Sequence, residues 1–507
     1  MTAAKVLKLS GWQGLSHAGR CLFDGLARLR ESLGRGVGCS KTDGMYVNSS
    51  YRCALTSHEA ASASTCHGRA KLVHAARKPA RTRLDLCAVR MKSGKQPDNS
   101  ADGSPLTWRY TQRSLLKTNI RLLWALGVWP LPGSWRFSLL KVWLAALAVG
   151  NAIENVLGVW KNWGDLTEVT YSLLNAFTIG AGVAKACHLM LHEERYCLLV
   201  RRVDRLARSQ GVYCDADAGM LAVAVGCRGT ARRVTRAAFA YLTVLCLIWM
   251  FMPLVAHPGE RQLPFNHIPW EPQSMPLFYE LSYAVQSASS VIYVFISFAF
   301  DCFFAVVMIL VTEQLMVLNL RIKQLYAPTA GDGPLQKEKQ FPDKTVTDRH
   351  EVMYKELCLC IDTHEDIIRL VSFLDSVMHP IALTQFMLSV MAACVTLFLE
   401  SYSPDSSSVL NSVSYLPTPG IQVYLYCWSA HNVLEEGAAV SEAAYGCSWY
   451  NGSPRFKRAL RIVMCRAQKP LVVTAGKLYP ISRATFVSLV NASYTYYALL
   501  SRVHNRG

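Results

Sequence analysis

Residues 237–256 read AAFAYLTVLCLIWMFMPLVA, twenty positions without a formal charge. An α-helix turns such a run into about 30 Å of apolar rod, the thickness of the hydrocarbon core of a bilayer. Further stretches of the same kind lie on either side. Residues 285–312 are interrupted only by Asp301, 376–399 and 407–434 carry no acid, Lys or Arg, and 484–503 carry only Arg502. Two earlier stretches are less clean, 137–160 with Lys141 and Glu154 and 169–192 with Lys185. Only 17% of the 507 residues are charged and 51% are hydrophobic, against roughly 25% charged in a soluble domain. The expectation is an all-α polytopic membrane protein with seven transmembrane helices.

Lys141, Glu154 and Lys185 fall near the ends of their predicted helices, where long side chains reach the interface and avoid the cost of a charge at mid-bilayer, about 2.5–3.5 kcal/mol. Asp301 lies well inside its run and has two readings, a hydrogen-bonding partner across the bundle or a functional group on a wet cavity. Loop charge sets the orientation. Residues 193–236 hold nine Arg, and 313–375 and 435–483 hold eight basic residues each. The alternate connections hold Lys161, Arg261 and, over 400–405, none. Because basic connections stay inside, the amino terminus is expected in the cytoplasm and the carboxyl terminus outside. The net charge of +18 is thus explained by insertion, and no nucleic-acid partner is expected. None of the 17 Cys lies in an expected external connection, in keeping with reduced thiols. Cys358-Leu-Cys360 lacks a second Cys/His pair at zinc-finger spacing, so neither metal nor cofactor is expected.

Residues 1–104 have no long apolar run, and over 5–95 their 17 basic residues outnumber the acidic ones. A disordered extension is expected there, followed by one bundle over 105–507. Residues 114–135 read as an amphipathic approach to the membrane ending in Gly127-Val-Trp-Pro-Leu-Pro-Gly133, whose prolines stop a helix and whose tryptophans suit an interface. The connection 257–287, rich in proline and aromatics, is expected as a lid, 324–349 as a mobile cytoplasmic stretch, and 351–374 as a helical extension below the fifth span. The last span carries a polar stripe: Thr485, Ser488, Asn491, Thr495 and Arg502 at steps of three, three, four and seven, with Leu499 completing the face. Two readings stay open for it, polar contacts between helices or the wall of a water-filled pore. A pore lined by one helix per chain requires an oligomer.

The run 455–470 (RFKRALRIVMCRAQKP), Thr474-Ala-Gly476, Thr485-Phe486 and 493–500 (SYTYYALL) resemble the terminal signature of insect odorant receptors. Cys427, Tyr445, Trp449-Tyr450 and Gly127-Val-Trp-Pro-Leu-Pro132 are similar to that family too. The resemblance covers roughly residues 105–505, and the first hundred depart from it. It implies a plasma-membrane subunit of a ligand-gated cation channel in olfactory sensory neurons. There a tuning receptor assembles with a shared co-receptor in a heterotetramer, inverted relative to G-protein-coupled receptors. The matching constriction is Leu499, Arg502 and Val503, with Thr495 and Asn491 further along the pore. An Arg at the filter is unexpected for a cation channel and shifts selectivity to the co-receptor. The odorant pocket of the family lies among helices two, three, four and six, which brings in Tyr171, Asn175, Trp249, Met252, Tyr293 and Tyr424. A small volatile odorant losing about 200–300 Å² of apolar surface gains about 5–7.5 kcal/mol before association costs, roughly micromolar to hundreds of micromolar affinity.

Other classes fit less well. A G-protein-coupled receptor would carry Asp-Arg-Tyr after helix three or Asn-Pro-x-x-Tyr in helix seven, and neither is present. A gustatory-receptor-like channel is the nearer alternative, separated by the 493–500 block. There is no internal repeat of the transporter kind. Enzyme signatures are also missing, since His192-Glu-Glu-Arg195 lacks the second His of a zinc protease.

Overall fold

The computed structural model describes residues 106–129, 135–164, 166–256, 276–325, 343–402 and 415–504. The chain divides into two units, 1–99 and 100–507, and all described residues belong to the second. The expectations for residues 1–104 and for most of 257–287 and 324–349 therefore lie outside the described residues.

Two short helices come first, α1 (Trp108–Arg113) and α2 (Lys117–Ala125). Thr107 caps α1 by accepting from the Tyr110 N–H at 3.3 Å. Gly127 ends α2 at φ +76°, with its own N–H on Trp124 O and that of Val128 on Leu123 O, a Schellman-type stop. This reversal turns Trp129 inward. It is fully buried against Phe303, with ring centroids 5.7 Å apart, and does not sit at the interface as the sequence suggested.

Seven long helices overlap the seven stretches expected as spans, the sixth only from Pro417 because residues 403–414 lie outside the described ones: α3 (Trp135–Lys161), α4 (Leu166–Leu191), α6 (Ala218–Ala256), α7 (Pro276–Gln324), α8 (Asp343–Tyr402), α9 (Pro417–Gly446) and α11 (Arg483–His504). The first five contain stretches long and apolar enough to cross a membrane. Within an apolar 18-residue window of each stretch, 89% of the residues are buried in α7, against 28% in α3 and 22% in α6. Thus α7 is the central post, and α3 and α6 turn residues such as Val142, Val156, Val244 and Phe251 outward.

The basic connection after α4 is itself helical, α5 (Glu193–Ala216), because Tyr196, Leu199, Val200, Val203 and Leu206 form one buried stripe. The extension expected over 351–374 is continuous with the fifth span in α8. After α9, Ser453 caps α10 (Pro454–Ala467), which buries Phe456, Leu460 and Val463 and leaves Arg455, Arg458 and Arg461 exposed. A two-residue hairpin follows, β1 (Thr474–Ala475) paired antiparallel with β2 (Tyr479–Pro480). Its tip, Gly476 and Lys477, has φ +61° and +60°, as a tight hairpin turn requires. The hairpin docks on α8: the Thr474 N–H and hydroxyl both donate to Asp375 Oδ1 at 2.7 Å, and the Gly476 N–H donates to His379 O at 2.8 Å. This gives Thr474-Ala-Gly476 a physical role, holding the start of α11 against the fifth span.

Lys185 does not reach the interface. Its ammonium lies 2.6 Å from Asp301 Oδ1 and 2.8 Å from Ser297 Oγ, with both charged residues almost wholly buried. An opposite charge at the same depth on α7 holds the lysine inside. The same carboxylate accepts from Tyr426 OH at 2.8 Å and from Gln422 Nε2 at 2.9 Å. Of the two readings of Asp301, the structure gives the partner across the bundle, joining α4, α7 and α9.

Candidate functional site

Between α4, α6, α7, the end of α8 and the start of α9 lies a chamber with about 910 Å³ of empty space, its open mouth included. Helical periodicity supplies each wall. Tyr171, Leu174, Asn175 and Thr178 form one stripe of α4, Leu245, Cys246, Trp249 and Met250 one of α6, and Ser287, Ser290, Val291 and Val294 one of α7. Thr396 and Leu399 of α8, Tyr415 just before α9 and Thr418 in its first turn complete it. A mainly apolar lining with a few placed hydroxyl and amide groups suits a small organic molecule.

The polar groups are held in fixed positions. Asn175 Nδ2 donates to Asn155 Oδ1 at 3.3 Å, and Ser290 Oγ donates to Asn175 Oδ1 at 3.5 Å. The hydroxyls of Thr178 and Tyr415 meet at 2.6 Å, and Thr178 also donates to Leu174 O at 2.9 Å. The Tyr415 ring stands edge-on to Trp249 at 6.5 Å. Ser287 Oγ, buried at the α7 wall, has no hydrogen-bond partner among the described residues.

Of the residues singled out from sequence, Tyr171, Asn175 and Trp249 line this chamber. Tyr293 does not. It lies off the α7 stripe, fully buried, and donates to Leu144 O of α3 at 2.6 Å. Tyr424 is on the outer side of α9, 41% exposed, with its ring edge-on to Phe486 of α11 at 5.6 Å. The side chain of Met252 lies outside the described residues. Sequence reading missed Thr178 and Tyr415. Thr178 follows Asn175 by three positions on the stripe that begins at Tyr171, so extending that stripe would have found it.

The last helix packs on α8 and α9, through a face on which Phe486, Leu489 and Tyr497 are part-buried and Ser493 is buried. Its polar stripe points the other way: Ser488, Asn491, Thr495, Leu499 and Arg502 are all exposed. The Ser488 and Thr495 hydroxyls donate to Ala484 O and Asn491 O of the same helix, so among the described residues neither bridges to another helix. Thr485 differs, being part-buried and donating to Pro480 O at 2.7 Å. The side chain of Val503 lies outside the described residues.

Residues 165–494 match the family described as 7tm Odorant receptor. Odorant receptor Or2 of Anopheles gambiae is 32% identical over 153 residues, 30% of this chain and 40% of that receptor. The odorant receptor coreceptor of Anopheles gambiae is 30% identical over 158 residues, 31% of this chain and 33% of the other. The chain thus spans less than half the length of these two relatives. Among solved structures, the insect olfactory receptor OR5 from Machilis hrabei in complex with eugenol has the same fold. Its TM-score is 0.58 at 18% identity, over 78% of this chain and 98% of that one.

Proposed function

Because this chain belongs to the seven-transmembrane odorant receptor family, we propose that it is the tuning subunit of an odorant-gated cation channel. It is an all-α polytopic membrane protein, and the observation that carries the proposal is the pairing of two features on one bundle. One is a mainly apolar chamber with about 910 Å³ of empty space, its open mouth included. The other is a final helix whose polar stripe faces away from its own subunit. The ligand is a small volatile molecule, a size supported by the eugenol in the complex of OR5. Tyr171, Asn175 and Trp249 contact it from the chamber wall, whereas Tyr293 and Tyr424, turned to α3 and α11, do not; Met252 remains a candidate from sequence.

A single helix cannot enclose a pore, so the exposed stripe needs neighbouring subunits. We assign these to an odorant-receptor co-receptor in a heterotetramer, in the plasma membrane of olfactory sensory neurons. The amino terminus is cytoplasmic and the carboxyl terminus extracellular. Asn491, Thr495, Leu499, Arg502 and Val503 line the conduction path, with Leu499 and Val503 as the apolar constriction.

The route from chamber to pore is short. Thr418 of α9 is in the chamber wall, and Tyr424, less than two turns on, touches Phe486 of α11. A ligand that binds better when α9 takes its open-state position shifts the population toward the open pore by that difference in affinity. The test is a concentration–response curve for an activating volatile in wild type, Trp249→Ala and Val294→Trp. The first enlarges the chamber and the second fills it, and each should raise the half-maximal concentration at least tenfold without changing surface expression. Unchanged curves in both variants would place the ligand elsewhere.

A further inference from the structure

The chamber does not end at Thr178 and Tyr415. A second space, about 390 Å³ with its open side included, lies further along α4, toward Ala181. It shares Thr178, Val294, Tyr415 and Thr418 with the first, so the two adjoin. Its far wall is of another character, with Ser297, Gln385, Ser389 and Gln422.

The buried ion pair dictates how these amides are oriented. Gln422 Nε2 donates to Asp301 Oδ2 at 2.9 Å and to Ser297 Oγ at 3.0 Å. A carboxylate only accepts, so the nitrogen of Gln422 must face it and the oxygen must face away. That oxygen accepts from Gln385 Nε2 at 3.0 Å, and the same nitrogen donates to Ser389 Oγ at 2.9 Å. The orientation of Gln385 follows in turn, and both of its N–H protons are used. What remains is Gln385 Oε1, an acceptor on a side chain 3% exposed, with no partner among the described residues. Leaving a buried acceptor unpaired is unfavourable, and a guest that brings a proton relieves it.

We propose that this inner space is a polar annex to the odorant chamber that selects small amphipathic ligands carrying an O–H group, alcohols and phenols. The hydroxyl donates to Gln385 Oε1 and the hydrocarbon part lies in the larger chamber. The inference rests on the odorant-gated reading and deepens it. Ethers and esters of the same size bring acceptors alone and set lone pair against lone pair at Gln385.

The test uses the full chain expressed with a co-receptor. Currents are recorded for a panel of straight-chain alcohols and substituted phenols, each paired with its O-methyl ether. Among compounds that gate, the hydroxyl form should reach half-maximal current at about tenfold lower concentration than its ether. Two substitutions probe the annex from different directions. Gln385→Met removes the acceptor at similar length, and Ala392→Leu fills the inner space from α8 at a residue that does not line the larger chamber. Each should bring the ratio close to one while the ether still gates. A wild-type ratio near one means that water occupies the position, and a ratio that survives both substitutions means that the hydroxyl binds elsewhere. Either result overturns the proposal. If no compound of either class gates although both subunits reach the surface, the odorant-gated reading itself fails, together with this inference.

Discussion

Removing the carboxylate of Asp301 should be among the most damaging single changes in the bundle. Asp301 is fully buried and accepts from three side chains: Lys185 at 2.6 Å, Tyr426 at 2.8 Å and Gln422 at 2.9 Å. In Asp301→Ala, the Lys185 ammonium, 2% exposed, keeps among the described residues only Ser297 at 2.8 Å. Breaking a buried pair from one side costs about 3–5 kcal/mol, because an uncompensated charge stays behind. With an unfolding entropy of about 2.1 cal/mol/K per residue over roughly 400 residues, that lowers the melting midpoint by about 4–6 °C. The double variant Lys185→Met/Asp301→Leu removes both charges and should melt above Asp301→Ala, since the single-variant losses do not add for residues in contact. Thermal melts of detergent-solubilised protein, followed by size-exclusion fluorescence, read both shifts. If Asp301→Ala melts like wild type, or the double variant melts as low as the two single losses summed, the buried pair is not holding α4, α7 and α9 together.

Other positions give independent checks. Gly476→Ala should lower stability by about 1–3 kcal/mol, because the residue has φ +61° and an added Cβ would sit 2.5 Å from Leu383 Cδ2; the readout is the same melt, and an unshifted midpoint contradicts the docked hairpin. In Gly182→Ala the new Cβ would lie 2.4 Å from the Tyr293 carbonyl oxygen, which is backbone and cannot rotate away. An overpacking cost of about 1–3 kcal/mol follows, and the parting of α4 from α7 should also raise the half-maximal odorant concentration. Arg502→Glu reverses a charge exposed on the last helix and should shift the reversal potential toward greater divalent permeability. An unchanged potential would remove Arg502 from the conduction path.

The spans were legible because lipid imposes a rule that a single sequence displays, about twenty positions without charge. Where they end was less so. α7 runs for 49 residues and α8 for 60, since beyond the apolar stretch α7 continues against α5 and α9, and α8 packs on α5, α9 and α10. Lys185 was misread because its position near a helix end indicated an interface, while its partner lies 116 residues away in sequence. Trp129 was misread because the turn at Gly127 decides on which side the tryptophan falls. In the chamber, depth along each helix could be judged from sequence, but facing could not. Tyr171, Asn175 and Trp249 face in, whereas Tyr293 faces α3 and Tyr424 faces α11. The annex was out of reach from sequence, since it is built by residues of α4, α7, α8 and α9 that come together only in the fold.

The most direct measurement is whole-cell current under a panel of volatile organic compounds, in cells expressing this chain with and without an odorant-receptor co-receptor. A rapid, ligand-dependent cation current that requires both chains is the result expected of a tuning subunit. If both chains reach the surface and ligand raises a second messenger without any current, the channel reading is contradicted and a G-protein-coupled mechanism takes its place.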